Sequence, residues 1–146
     1  MSEKLEQLLT GERKPGLYRI EASVEPKAVQ RLAEEQGWQF FHVDGSQVQD
    51  KRSFIRTAGA AMDFPDYSGQ NWDAFEESIR DLTWAPAAGY LVLFDEPDQF
   101  AAQNTEQWQV ARSILESAVA LWQERGLPMA VLFRKAGRAL PDVPWL

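Results

Sequence analysis

The chain has 146 residues, with 22 Asp and Glu against 15 Lys and Arg for a formal charge of −7, 45% hydrophobic and 12% aromatic residues, one His and no Cys. Such a length is most simply a single domain, within the roughly 100 to 200 residues that are typical, and it supports a core without cross-links. The lack of Cys excludes a disulfide scaffold, a thiolate metal site and a cysteine nucleophile, and with His42 as the only histidine a zinc site would rest mostly on carboxylates. The N-terminal segment alternates charge with leucine (Leu5, Leu8, Leu9), and no apolar run approaches the length of a signal or a membrane span. The expectation is a soluble cytoplasmic protein. Its acidity argues against a nucleic-acid partner, since counterion release needs cations facing phosphates.

After the break at Pro15-Gly16, Leu17 to Ala22 reads as a strand. Pro26 suits the first turn of a helix whose apolar face is Ala28, Val29, Leu32 and Ala33, ended by Gly37. Trp38 to Val43 is a second strand, turned by Asp44-Gly45, and Asp50 is the candidate cap of a helix carrying Phe54, Ile55, Ala58, Ala61 and Met62. That helix must stop before Pro65. Asn71 caps a helix to about Asp81, Tyr90 to Phe94 is an apolar run of buried-strand type, and Asn104 caps the longest helix, which ends at Gly126. Met129 to Phe133 is the last strand. The alternation predicts an α/β fold: a single domain with a small, mainly parallel four-stranded sheet packed with helices.

The charge is concentrated. Residues 63 to 106 hold ten acidic side chains and one basic one, Arg80, for a net −9, while the rest of the chain holds 12 acids and 14 bases. Within this stretch the helix from Asn71 places Trp72, Phe75, Ile79 and Leu82 on one stripe and Asp73, Glu76, Glu77 and Arg80 on the opposite one. The like charges Asp73 and Glu77 at i, i+4 disfavour the helix by a few tenths of a kcal/mol. The helix dipole favours Asp73 in the first turn, and Glu76 and Glu77 are each spaced to reach Arg80.

The run Phe64-Pro65-Asp66-Tyr67, with Gly69, Asn71, Asp73-Ala74 and the acidic Glu77, resembles the barstar family of ribonuclease inhibitors. The likeness continues through His42-Val43-Asp44-Gly45 and the later strands and long helix, over about residues 38 to 135. It implies a barstar-like domain at 38–146, preceded by an N-terminal extension at 1–37 that adds one strand and one helix to the same sheet. It also implies an intracellular inhibitor that inserts its acidic helix and the preceding turn into the active site of a basic ribonuclease, without cofactor or metal and without catalysis of its own. By position the contacts would be Tyr67, Gly69, Asn71, Asp73, Glu76 and Glu77, with Trp84 as an aromatic contact after the helix. Glu77 stands where the family usually has Asp, Glu76 replaces an aromatic residue, and Leu121 and Arg125 occupy two positions at which the family carries acids. These departures suggest a target other than barnase, bound by a monomer.

Two other functions fit the residues. The acidic face could serve a different basic partner, such as a non-ribonuclease toxin. Alternatively, Asp44 and Asp95-Glu96 at strand ends could converge to hold Mg²⁺ for phosphoryl transfer, with Arg134 or Lys135 on the phosphoryl group. Against the enzyme, no Gly-rich phosphate loop is present. Carboxylates in such positions are ordinarily solvated turn residues that tolerate replacement, and His42 reads as a structural or surface histidine.

Overall fold

The computed structural model describes residues 2–65, 71–137 and 140–146. In chain order these form helix α1 (Ser2–Thr10), strand β1 (Leu17–Ile20), α2 (Pro26–Glu35), β2 (Trp38–Asp44), a 3-10 turn (Gly45–Gln47), α3 (Lys51–Ala61), α4 (Trp72–Asp81), β3 (Gly89–Asp95), α5 (Asp98–Gln103), α6 (Thr105–Glu124) and β4 (Met129–Arg134). All pairings in the four-stranded sheet are parallel, in the order β1-β4-β3-β2. The sheet is therefore wholly parallel, more regular than the mainly parallel arrangement expected from sequence. The first strand stops two residues earlier than its apolar pattern suggests.

Alternation along the strands divides the core in two. Phe41 and Val43 of β2, Tyr90, Val92 and Phe94 of β3, and Met129, Val131 and Phe133 of β4 face α3, α4, α5 and α6. Trp38, Leu91, Leu93, Ala130 and Leu132 face the other way, against Leu5, Leu8 and Leu9 of α1 and Val29 and Ala33 of α2. Residues 1–37 thus contribute two helices and a strand, one helix more than expected from sequence. The leading leucines form a true amphipathic helix because the exposed face of the sheet gives their stripe a surface to bury against.

Local chemistry fixes several element ends. Asp50 accepts from the Ser53 N–H at 2.8 Å, while Ser53 Oγ accepts from the Asp50 N–H at 3.1 Å, so the two residues form a reciprocal capping box for α3. These bonds hold the Asp50 carboxyl below its ordinary value. Asn104 stands at the start of α6 as expected, but its side chain makes no capping bond. The short helix α5, which the apolar pattern does not signal, ends immediately before it, and Asn104 N–H donates to Phe100 O at 2.9 Å as the junction between the two. Gly45 is required by crowding: a Cβ there would lie 1.9 Å from the Asp95 carbonyl oxygen. The outer edge of β1 is covered by the C-terminal tail, with Arg19 N–H donating to Pro144 O and Leu146 N–H to Arg19 O.

A row of polar groups crosses the carboxyl ends of the strands on the α2 side. Asp95 is 6% exposed; its Oδ1 accepts from Arg134 Nη1 at 2.7 Å and its Oδ2 lies 2.6 Å from His42 Nε2. Arg134 Nε continues the row to Val24 O at 2.8 Å, joining β4 to the loop before α2. Asp95 is therefore a buried, doubly paired carboxylate and not the replaceable turn residue that its place at a strand end suggested.

Removing the Asp95 carboxylate leaves Arg134 buried without its counterion, so Asp95→Ala is expected to cost about 3–5 kcal/mol in urea unfolding; an unchanged midpoint would refute this role. Asp50→Ala should cost about 1 kcal/mol as a lost helix cap. Because folding lowers the Asp50 pKa, its contribution is complete above the unfolded-state pKa and fades as pH falls through the lower folded value. The stability difference between wild type and Asp50→Ala should therefore shrink in acid, which unfolding curves across that range will measure.

Candidate functional site

Helix α4 is built by a few local interactions. Asn71, in extended conformation, accepts from the Ala74 N–H at 2.7 Å and caps the helix as its sequence predicts. At the other end Leu82 adopts a left-handed conformation (φ 49) that a β-substituted residue ordinarily avoids. Its side chain is fully buried there, and that burial offsets the local cost. Phe75, Ile79 and Leu82 are buried, as the stripe predicts. Trp72 is only half-buried: its ring packs on Phe54 and Phe75 while one edge stays at the surface.

The opposite face presents Asp73, Glu77, Arg80 and Asp81 to solvent, with Glu76 half-exposed. Between this face and the C-terminal part of α6 lies an open groove of ≈ 670 Å³ lined by Asp73, Glu76, Glu77 and Asp81 together with Arg80 and Arg125. A second groove, of ≈ 550 Å³, shares Asp73 and Glu76 and runs toward the start of α6, where Trp72, Glu106, Ser113 and Ser117 line it. The carboxylates are thus arrayed along a trough between α4 and α6. Arg80 lies 3.8 Å from Glu76, both side chains well exposed, a pair worth little in water. Among the described residues neither Asp73 nor Glu77 forms an ion pair, so the expected reach of Glu77 to Arg80 is not realised.

Helix α6 holds α4 at three points. Trp122 Nε1 donates to Ile79 O at 2.9 Å, Trp72 Nε1 donates to Gln107 Oε1 at 2.7 Å, and the Arg125 guanidinium donates to Arg80 O. Both indoles bury their apolar bodies and direct the N–H to an acceptor that would otherwise stay unmet.

The candidate contacts named from sequence separate into groups. Asp73, Glu76 and Glu77 come together in the groove, and Asn71 stands at its helix start with Oδ1 taken by the cap. Tyr67 and Gly69 lie outside the described residues. Trp84 lines neither groove: its Nε1 donates to Met62 O at 2.9 Å and its ring stands edge-on to Phe64, so it fastens the turn after α4 to the end of α3. Glu106 joins the site although no motif marks it; its one signal in the sequence is its place at the end of the −9 stretch.

The strand-end groups are bonded within the chain. Asp95 and Arg134 are spent on each other, and Asp44 accepts from the Ser46 N–H and hydroxyl at 3.0 and 2.7 Å, bonds that hold its carboxyl below the usual range. Among the described residues no group of three His, Asp or Glu side chains is placed to hold a metal ion.

Comparison with known proteins separates fold from family. Solved structures similar to the chain include the Aeropyrum pernix ORC2 protein in its ADP form and the Aeropyrum pernix ORC1 protein in complex with DNA. Each has a TM-score of 0.63 at 12% identity, over 95% and 96% of this chain. Cdc6p from Pyrobaculum aerophilum is also similar, at a TM-score of 0.56 and 15% identity over 97% of the chain. The chain spans about two-fifths of the length of these structures (40%, 39% and 40%), and at such identities the likeness is one of fold alone. No curated protein matches the chain significantly. The family model described as Barstar (barnase inhibitor) matches residues 38–134, from the first residue of β2 to the last of β4 and including α4 and its groove. The chain belongs to the Barstar (barnase inhibitor) family.

Proposed function

We propose that the chain is a cytoplasmic inhibitor that binds a basic ribonuclease one to one through α4 and the trough beside it, blocking the enzyme's active site without catalysing a reaction itself. The observation that carries this reading is the exposed set Asp73, Glu76 and Glu77, held on one face of a capped helix, with Asp73 and Glu77 free of ion pairs among the described residues. A ribonuclease must hold the phosphates of RNA with Lys, Arg and His, so an acidic face is complementary to it and draws it in. Electrostatic steering of this kind raises association by about 10- to 1000-fold.

Residues 1–37 have a different task in this reading. They extend the family unit by covering the sheet face turned away from α4, and they leave the acidic trough open. Tyr67 and Gly69, which precede the helix in sequence, belong to the proposed contact surface by their place in the family motif. A different basic protein, such as another toxin, would use the same charges; the identity of the captured partner decides between the two.

The test begins with a pull-down from lysate of the cell that makes the chain, followed by an RNA-cleavage assay on the captured protein with the chain titrated in. Glu77→Ala should weaken binding by about 2 kcal/mol or more, because it leaves a partner cation unpaired in the interface. Glu76→Ala should cost less, since Glu76 already shares its charge with Arg80. Added salt should slow association far more than it speeds dissociation. Unchanged affinity and inhibition in a folded Asp73→Ala, Glu77→Ala double variant would show the face to be a solvated surface only.

A further inference from the structure

The trough changes character toward the C-terminus of α4, where Asp81 is its one acid. Two guanidinium groups, Arg80 and Arg125, close the groove beside the C-terminus of α4. Arg80 is 46% exposed and has Glu76 at 3.8 Å as its nearest anion, so its charge remains largely open to a partner. Arg125 is set more firmly: its guanidinium carbon lies 4.7 Å from the centre of the Trp122 ring, and it donates to the Arg80 carbonyl. A ring face and a neutral carbonyl orient a guanidinium without neutralising it. The carbonyl end of a helix also favours a cation, which accounts for the stability of the arrangement. Its effect is to fix positive charge in the groove that Glu77 also lines.

We infer that Arg80 and Arg125 are specificity determinants of this groove, disfavouring a partner whose facing surface is cationic throughout and favouring one that sets a carboxylate beside its cations, opposite Arg125. The inference rests on the proposed role of the acidic face in binding a basic protein. When the cations of a partner meet Asp73 and Glu77, a cation reaching the far end of the groove meets Arg80 and Arg125, two positive charges against the single acid Asp81. Like charges apposed across an interface exclude partners, and this exclusion sharpens specificity more than added attraction does. A carboxylate at that point instead finds a planar, pre-oriented guanidinium suited to bidentate pairing. The groove therefore selects for a mixed pattern, with a carboxylate of the partner beside its cations.

The probe is barnase, the ribonuclease named in the family's description, with affinity measured by calorimetry at low and at high salt. Arg125→Glu and Arg80→Glu should each bind at least about tenfold tighter than the unaltered chain, and Arg125→Gln should show a smaller gain; all gains should shrink at high salt. Lys27→Glu makes the same change of charge on α2, across the sheet from the trough, and should leave affinity within about twofold. The inference is overturned if folded Arg125→Glu binds barnase no tighter than the unaltered chain, or if Lys27→Glu gains as much. Should Arg125→Glu fail to fold, Arg80→Glu and Arg125→Gln decide on the same criterion. Asp73→Ala with Glu77→Ala, placed in the Arg125→Glu background, separates the two readings. Loss of the gained affinity supports the acidic face, whereas its retention removes that reading and the inference that rests on it; an absent gain in Arg125→Glu alone overturns only the inference.

Discussion

A parallel sheet whose inner strands are apolar on both sides has to be covered twice, and most of this molecule follows from that requirement. Every residue of β3 and β4 is buried. One face is covered by α3, α5 and α6 together with α4, and the other by α1 and α2, which precede the family-matched region in sequence. Without the N-terminal pair, Leu91, Leu93, Ala130 and Leu132 would face water, and burying a side chain of leucine size is worth about 1.5–3 kcal/mol. The division also assigns work to the layers. The helices on one face carry the charged trough, while those on the other cover the sheet, with Arg134 tying β4 to the loop before α2 through its bond to Val24 O.

What the sequence reveals depends on whether an interaction is local or crosses the chain. The four strands, the Asp50 and Asn71 caps and the buried stripe of α4 follow from spacing and from side-chain bonds within a few residues, and all are legible in the order of the amino acids. The sheet order and the docking of α1 on the second face depend on partners distant in the chain, such as Trp38 with Gly89 and Leu17 with Val131, for which periodicity carries no signal. Asp95 illustrates the limit: in sequence it is an acid at the end of a strand, and only the register of β3 with β4 places Arg134 beside it. Trp84 is a second case: its bond to Met62 O, which fastens the turn after α4 to the end of α3, has no signal in the sequence. In the trough, the α4 carboxylates are visible from spacing as one helical face, whereas the contribution of Glu106 and Arg125 requires α6 to be laid against it.

The distribution of charge on α4 departs from what stability alone would select. An exposed helix gains a few tenths of a kcal/mol by alternating acids and bases at i, i+4, yet here Asp73 faces Glu77 at that spacing and only Glu76 has a basic neighbour in reach. The first-turn position of Asp73 and the Asn71 cap moderate the repulsion without removing it. The same molecule places a tight bidentate ion pair elsewhere, between Arg112 and Asp142, where it pins the C-terminal tail to α6. Ion pairing was thus available to this fold, and among the described residues Asp73, Glu77 and Asp81 of α4 stand outside it.

The three bonds from α6 to the backbone and flank of α4 bear on how the acidic helix would meet anything at all. With Trp122 on Ile79 O, Trp72 on Gln107 and Arg125 on Arg80 O, the helix has little freedom to rock or slide on the sheet. Its carboxylates are preorganised, so association would immobilise side-chain tips and not the element that carries them. Ordering a flexible side chain on binding costs about 0.5–1.5 kcal/mol, and a backbone that is already fixed avoids the larger cost of ordering a segment. The two indoles, which line the same trough as the charges they support, therefore let α4 dock as a rigid body.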